Sequence, residues 1–419
     1  MITRTTIDQV YETARVEEVI GDFVVLKKSG SNFKGLSPFS QERTPSFMVS
    51  PVKQIWKDFS SGKGGNVVAF LMEHEQFTYP EAIRFLANKY NIEIEETEQS
   101  DEEKEKANAR ESLYLVNQFA QESFTQDLWE FPEGKAIGLS YFRERGFTDE
   151  IIRLFGLGYA AQQRDRFYEK AAKAGYTENY IVETGLIIKN ERGAVDRFRG
   201  RVIFPIRSMA GRVQGFGGRI LSATLKTAKY INSPESEVYH KSKVLYGMFE
   251  AKKAIAKEDI CYLVEGYTDV IQMFQLGIEN IVSSSGTALT PEQIRLIRRL
   301  TSNIVVLFDG DQAGLRAAIR GIDLILEQGM NVRVCSFPEG EDPDSFAKSH
   351  SREEIIKYLK ESARDFIQFK TDLLLKESGN DPVKKANTVR DIVKSISKIP
   401  DAIQQEIYLK QCASSMEVS

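Results

Sequence analysis

A chain of 419 residues is longer than one hydrophobic core usually fills, so two to four domains are expected. Hydrophobic and charged contents of 42% and 28% are ordinary for a soluble globular protein, and no apolar run reaches the length of a membrane span. The net charge of −4 argues against a general nucleic-acid coat, but Arg197 to Lys243 holds ten basic residues and two acidic ones, a local +8 that leaves −12 elsewhere.

The opening residues 1–6 lack the apolar core of a signal peptide, and Cys261, Cys335 and Cys412 form no pairable pattern, which together fit a reducing cytoplasm. Residues 5–20 have the periodicity of one amphipathic helix, and Phe23 to Leu26 reads as a strand. From Gly35 to Asn66, Gly, Ser and Pro alternate with Phe39, Phe47, Ile55, Trp56 and Phe59 as in the short strands of a small sheet. Helices follow at Val67–Glu75 and Tyr79–Tyr90. The charged run Ser100 to Lys106 has no core-forming residues and is read as a linker over 99–110, after a first domain of 1–98.

Helical pattern resumes over 111–129 and near Asp149–Phe155, and Gly156–Ala160 reads as a short strand. The basic island alternates as strands through Arg199, Arg201 and Arg219 and closes with Lys229 and Lys241. Arg interleaved with aromatics suits single-stranded nucleic acid, where bases stack and phosphates need counter-charge. Gly215-Phe216-Gly217-Gly218 would let a phosphate backbone approach, although a solvated charged strand face would have the same pattern.

Between residues 259 and 346 apolar runs alternate with amphipathic ones. Strands at 260–264, 281–282, 303–308 and 332–337, separated by helical stretches, imply a parallel sheet covered by helices. Ligands bind past the carboxyl ends of such strands, where Glu265, Asp309, Asp311, Asp342 and Asp344 fall. Carboxylates gathered there repel one another unless a cation neutralises them, and a hard oxygen site with room for phosphate suits Mg²⁺ or Mn²⁺. A lone D-x-D is more often a pair of exposed turn acids; three acidic groups at successive strand ends are harder to dismiss. Past 346, helices are expected at 353–375, 381–396 and 401–416.

The pattern Glu265-Gly266-Tyr267-Thr268-Asp269, Ser285 to Thr290 and Asp309-Gly310-Asp311 resembles the Toprim domain. With Lys53-Gln54-Ile55, Gly62 to Asn66, Arg197–Arg219 and Lys229–Tyr246, the chain is similar to bacterial replicative primases of the DnaG family. The resemblance implies an α/β protein overall. A small β-rich ribbon-like domain (1–98) would precede an α+β polymerase core (111–258), a Toprim sheet (259–346) and a helical subdomain (347–419).

It further implies template-directed synthesis of short RNA primers on single-stranded DNA from ribonucleoside triphosphates. Glu265, Asp309 and Asp311 would be catalytic metal ligands, with Asp269, Asp342 and Asp344 counted among the metal-binding acids and shaping the same edge directly or through water, and Arg199, Arg201, Arg219, Lys229 and Lys241 would hold template or nucleotide phosphates. Family members carry a helicase-docking domain, for which this chain is expected to have no room. The family's zinc ribbon uses three Cys and one His; here the matching positions are Ser37, Ser40, Asp58 and Ser61, so zinc is not expected. A Toprim nuclease using the same acids, or a non-catalytic single-strand binder, remains an alternative; a topoisomerase would need a nucleophilic Tyr that none of the 16 tyrosines advertises.

Overall fold

A computed structural model describes residues 2–40, 42–95, 101–191, 193–221, 228–286, 288–308, 321–338, 340–371 and 382–416, which separate into two units, 1–108 and 109–419. The first unit is built on a five-stranded antiparallel meander. Its strands are β1 (Lys27–Ser29), β2 (Asn32–Gly35), β3 (Phe47–Ser50), β4 (Ile55–Asp58) and β5 (Gly64–Gly65). Phe47, Val49 and Trp56 alternate inward and meet Phe70 and Leu71 of the helix Val67–His74. Phe47 and Trp56 stack at 5.5 Å, and Phe39 packs against both. Ile55 and Phe59 are exposed.

Two sequence expectations fail in this unit. The helix over 5–20 is two helices, Arg4–Thr13 and Val16–Gly21, because Ala14 and Arg15 are extended. The break is stabilised by tertiary partners: the Arg15 amide donates to Tyr90 Oη at 3.1 Å and the Val16 amide to Gln54 Oε1 at 2.9 Å. Phe23–Leu26 is not a strand; the amides of Phe23 and Val24 bond back to the Ile20 carbonyl and finish the preceding helix.

Residues 101–110, expected to be linker, belong to the 30-residue helix Asp101–Glu130. The run is rich in Glu, Lys, Ala and Arg, all strong helix formers, so lack of a core residue did not mean lack of structure. In the second unit this helix lies on an antiparallel sheet of order β11-β10-β9-β6. The strands are β6 (Gly158–Ala160), β9 (Arg201–Arg207), β10 (Val213–Ile220) and β11 (Tyr230–Asn232), with a separate hairpin of β7 (Ile187–Asn190) and β8 (Gly193–Asp196). Asn117 donates to the Gln214 carbonyl at 2.8 Å, and Phe124 meets Phe216 edge-on.

The second sheet has the order β13-β12-β14-β15-β16: β12 (Cys261–Val264), β13 (Ile281–Ser283), β14 (Asn303–Phe308), β15 (Asn331–Ser336) and β16 (Arg364–Asp365). The first four are parallel, and β14 is apolar from Ile304 to Phe308 because both faces are buried there. The unbroken helix expected over 353–375 is interrupted by β16, which pairs antiparallel with Arg333 and Val334. One core joins Phe204 and Ile206 of β9 to Tyr246, Val264, Tyr267 and Phe346, and a second fills the other face of the parallel sheet. Buried Cys261 and Cys335 act as small apolar side chains in that sheet.

Candidate active site and nucleic-acid-facing region

The parallel strand order reverses between β12 and β14, and a crevice forms at such a switch point past the carboxyl ends. Glu265 is the first residue past β12. Its carbonyl accepts from Ser283 Oγ at 2.9 Å and from the Gly286 amide at 3.3 Å, so the loop after β13 clamps its backbone. Gly286 has φ +73°, a left-handed angle that favours glycine. The Glu265 side chain is exposed, and its carboxylate has no hydrogen-bond partner among the described residues. Phe308 ends β14; Asp309 and Asp311, which follow it in sequence, lie outside the described residues.

The other three acids have defined local partners. Asp269 is buried and accepts from the Gly266 amide at 2.9 Å, closing the first turn of the helix Tyr267–Gln275. Asp342 is the N-cap of the helix Pro343–Ser349, accepting from the Ser345 amide at 2.7 Å, with Pro343 in the first helical position. Asp344, on the same helix, is buried between Arg145 Nη2 at 2.6 Å and Lys348 Nζ at 2.8 Å. The two helices pack together. Arg145 is a participant that sequence reading did not single out; 199 residues separate it from Asp344, and no local pattern marks it.

Asp344 Oδ1 and Glu341 Oε2 are buried and have no hydrogen-bond partner among the described residues. Among the described residues no three acidic, His or Cys side chains are grouped so as to hold a metal ion; the free Glu265 carboxylate is the kind of ligand that suits a hard divalent cation and not a soft one.

The basic candidates separate by environment. Arg199 and Lys229 are exposed. Arg201 is buried, and its guanidinium donates to the carbonyls of Gly218, Lys229 and Ala228 at 3.1–3.3 Å, so it braces the β9–β10–β11 sheet and is not presented to a ligand. Arg219 is half-buried; it donates to Tyr230 Oη at 2.9 Å and lies over the rings of Tyr141 and Tyr230. Lys241 is half-buried and lies 3.1 Å from the side-chain oxygen of Asn232 when that amide turns its nitrogen to Tyr267 Oη.

The glycines of β10 do not offer an open face to phosphate. A Cβ on Gly217 would stand 2.5 Å from the Tyr267 ring, and one on Gly218 would stand 2.6 Å from Phe198. Their absent side chains admit protein aromatics, including the ring that follows Glu265-Gly266.

At the ribbon positions, Asp58 is fully buried in β4. Its carboxylate accepts from the hydroxyls of Ser37 at 2.9 Å and Ser60 at 3.0 Å, from the Ser61 amide at 3.2 Å and from the Ser61 hydroxyl. Burial alone would raise its pKa, but the hydroxyls of Ser61, Ser37 and Ser60 outweigh burial and hold it below the ordinary range. Ser40 Oγ lies 2.6 Å from Ser60 Oγ. Three hydroxyls and one carboxylate are a poor fit to structural zinc, which takes thiolates and imidazoles in a closed tetrahedron.

A ribbon unit and, on the second unit, an antiparallel sheet carrying basic residues joined to a parallel sheet with Glu265 just past its switch-point strand define a Toprim-type core beside a basic sheet. Sequence comparison narrows this class. Residues 124–252 match the DNA primase catalytic core N-terminal domain, 262–347 the Toprim-like family, 2–102 the CHC2 zinc finger and 367–419 the DnaB-helicase binding domain of primase.

The DNA primase of Clostridium acetobutylicum is 37% identical over 98% of this chain and 67% of its own length, and that of Halalkalibacterium halodurans is 37% identical over 100% and 69%. The Aquifex aeolicus primase structure, comprising zinc-binding and RNA polymerase domains, aligns with TM-score 0.66 at 31% identity, covering 99% of this chain and 97% of that one. A DnaG primase catalytic domain bound to single-stranded DNA aligns with TM-score 0.66 at 31% identity, covering 74% and 99%. The chain belongs to the bacterial DnaG-type DNA primase family and is a nucleotidyltransferase that makes RNA primers on DNA templates. Its Toprim core uses divalent metal. The match of residues 367–419 to the helicase-binding domain corrects the expectation that the chain has no room for one.

Proposed function

We propose that Glu265, Asp309 and Asp311 hold Mg²⁺ or Mn²⁺ at the β12–β14 switch point, and that single-stranded DNA and ribonucleoside triphosphates engage the basic sheet beside it. The observation that carries this reading is the Glu265 carboxylate, clamped through its backbone and free at its side chain. Bound there, the cation would neutralise charge on the attacking 3′ oxygen and on the leaving pyrophosphate. Asp269, Asp342 and Asp344 act as positioning residues: two cap the helices flanking the crevice, and the third locks one of them to Arg145.

Arg199, Lys229 and Lys241 meet template or nucleotide phosphates in this reading. Arg219 presents its charge beside Tyr141 and Tyr230, two rings on which a base can stack. No side-chain general base is required, since a metal lowers the pKa of the oxygen it binds. The replicative helicase is the partner of residues 367–419, and no described helix is long and apolar enough to cross a membrane, in keeping with a cytoplasmic replication role.

Incubation of the chain with single-stranded DNA, ribonucleotides and Mg²⁺ or Mn²⁺ tests the reading. Metal-dependent RNA primers are expected; shortened DNA would instead mark a nuclease, and binding without either product a non-catalytic module.

A further inference from the structure

The ribbon positions share the spacing of two metal knuckles, Ser37-x₂-Ser40 and Asp58-x₂-Ser61, but carry oxygen in place of sulfur and nitrogen. Ser37 Oγ accepts from the amides of Phe39 at 3.1 Å and Ser40 at 3.0 Å while donating to Asp58. Asp58 in turn accepts from the Ser61 amide. Each turn therefore closes on its own first residue, and the two are tied by the hydrogen bonds Ser37–Asp58 and Ser40–Ser60.

We propose that a buried carboxylate replaces the metal as the structural hub of this ribbon. Asp58 is the anion, and the hydroxyls of Ser37, Ser60 and Ser61, with that of Ser46 shared between it and Glu42, are the donors that converge on it.

Three observations carry the proposal. Asp58 is buried with 0% exposure, and among the described residues no cationic side chain bonds it; its charge is met there by hydroxyl and amide donors, the arrangement that keeps a buried carboxylate ionised. The second carboxylate nearby, Glu42, is engaged by the Ser37 amide at 2.7 Å, the Ser46 amide at 2.8 Å and the Ser46 hydroxyl at 2.5 Å, so it orders the loop before β3. His74 stacks on Phe70 at 5.1 Å and bonds Glu75, which keeps it in the aromatic core. A metal would have to displace the hydroxyl protons from Asp58 and offer in return bonds to neutral serine oxygens, which are weak ligands.

The hub also accounts for residues outside the four knuckle positions. Ser60 bridges Asp58 and Ser40, bringing the remaining knuckle residue into the network. Phe47, Trp56 and Phe70 pack in the core of the same unit.

The test uses the full chain, with elemental analysis after purification in zinc-containing medium and hydrogen exchange read by mass spectrometry over β3 and β4. Expected are no stoichiometric zinc, exchange unchanged by a zinc-selective chelator, and exchange accelerated at least tenfold by Asp58→Asn. The control Asp8→Asn, at an exposed position on the first helix, should leave exchange unchanged. An amide replaces two accepting oxygens with one and aims donors at donors, and loss of all protection in Asp58→Asn supports the proposal equally. One zinc per chain, chelator-sensitive protection, or wild-type exchange in Asp58→Asn would each overturn it.

Discussion

Glu265 is exposed and makes no side-chain hydrogen bond among the described residues, so its substitution isolates chemistry from folding. Glu265→Gln is expected to lower primer synthesis by about 10²–10³-fold, the scale of one lost electrostatic contact to a transition state, with the melting temperature unchanged. Asp344 is the opposite case. Removing Arg145 leaves a buried carboxylate with Lys348 alone, and Arg145→Met is expected to cost about 3 kcal/mol in chemical denaturation, the range for breaking a buried pair. Asp196 makes a pH prediction. It is buried and caps the helix Arg166–Lys173 through the amides of Phe167 and Tyr168, and burial pushes its pKa up to about 6 despite those bonds. A raised folded-state pKa means the folded protein holds the proton more tightly, so this contribution is full below the ordinary value near 4 and lost as pH rises through about 6. Stability of Asp196→Asn relative to the parent should therefore rise between pH 4 and pH 7, by up to about 3 kcal/mol; a constant difference across that range would contradict the assignment.

At the scale of elements, β12, β13, β14 and β15 were legible because each is a short apolar run ended by a polar turn, and their parallel pairing followed from the helical stretches between them. The tertiary partners were not legible. Nothing near Arg145 in sequence points to Asp344, and alternation alone could not tell Arg201, buried on three carbonyls, from Arg199, exposed two residues earlier. The glycines of β10 were read as room for a ligand, whereas Tyr267 and Phe198 fill that room. Charge without apolar residues over 101–110 was read as linker, although its residues favour helix on their own. The cap at Asp342 separates structure from chemistry: Asp342→Asn retains a good N-cap and should leave stability within about 0.5 kcal/mol, whereas Asp342→Ala should lose about 1 kcal/mol. If both variants lose primer synthesis while only the second loses stability, Asp342 contributes charge to the site as well as a cap.

For the whole molecule, one basic island on an acidic chain predicts salt-sensitive binding of single-stranded DNA. Log affinity should fall linearly with log salt at a slope of about −0.7 per phosphate neutralised, and combined Arg199→Ala, Lys229→Ala and Lys241→Ala should flatten it by about 2. In the proposed mechanism binding and chemistry are separable, with chemistry resting on Glu265, Asp309 and Asp311. The most direct measurement is primer synthesis by Asp309→Asn and Glu265→Gln at saturating Mn²⁺, with single-stranded DNA affinity recorded on the same preparations. Loss of primers with parental affinity is the predicted result; near-normal synthesis by either variant would contradict the assignment of the site.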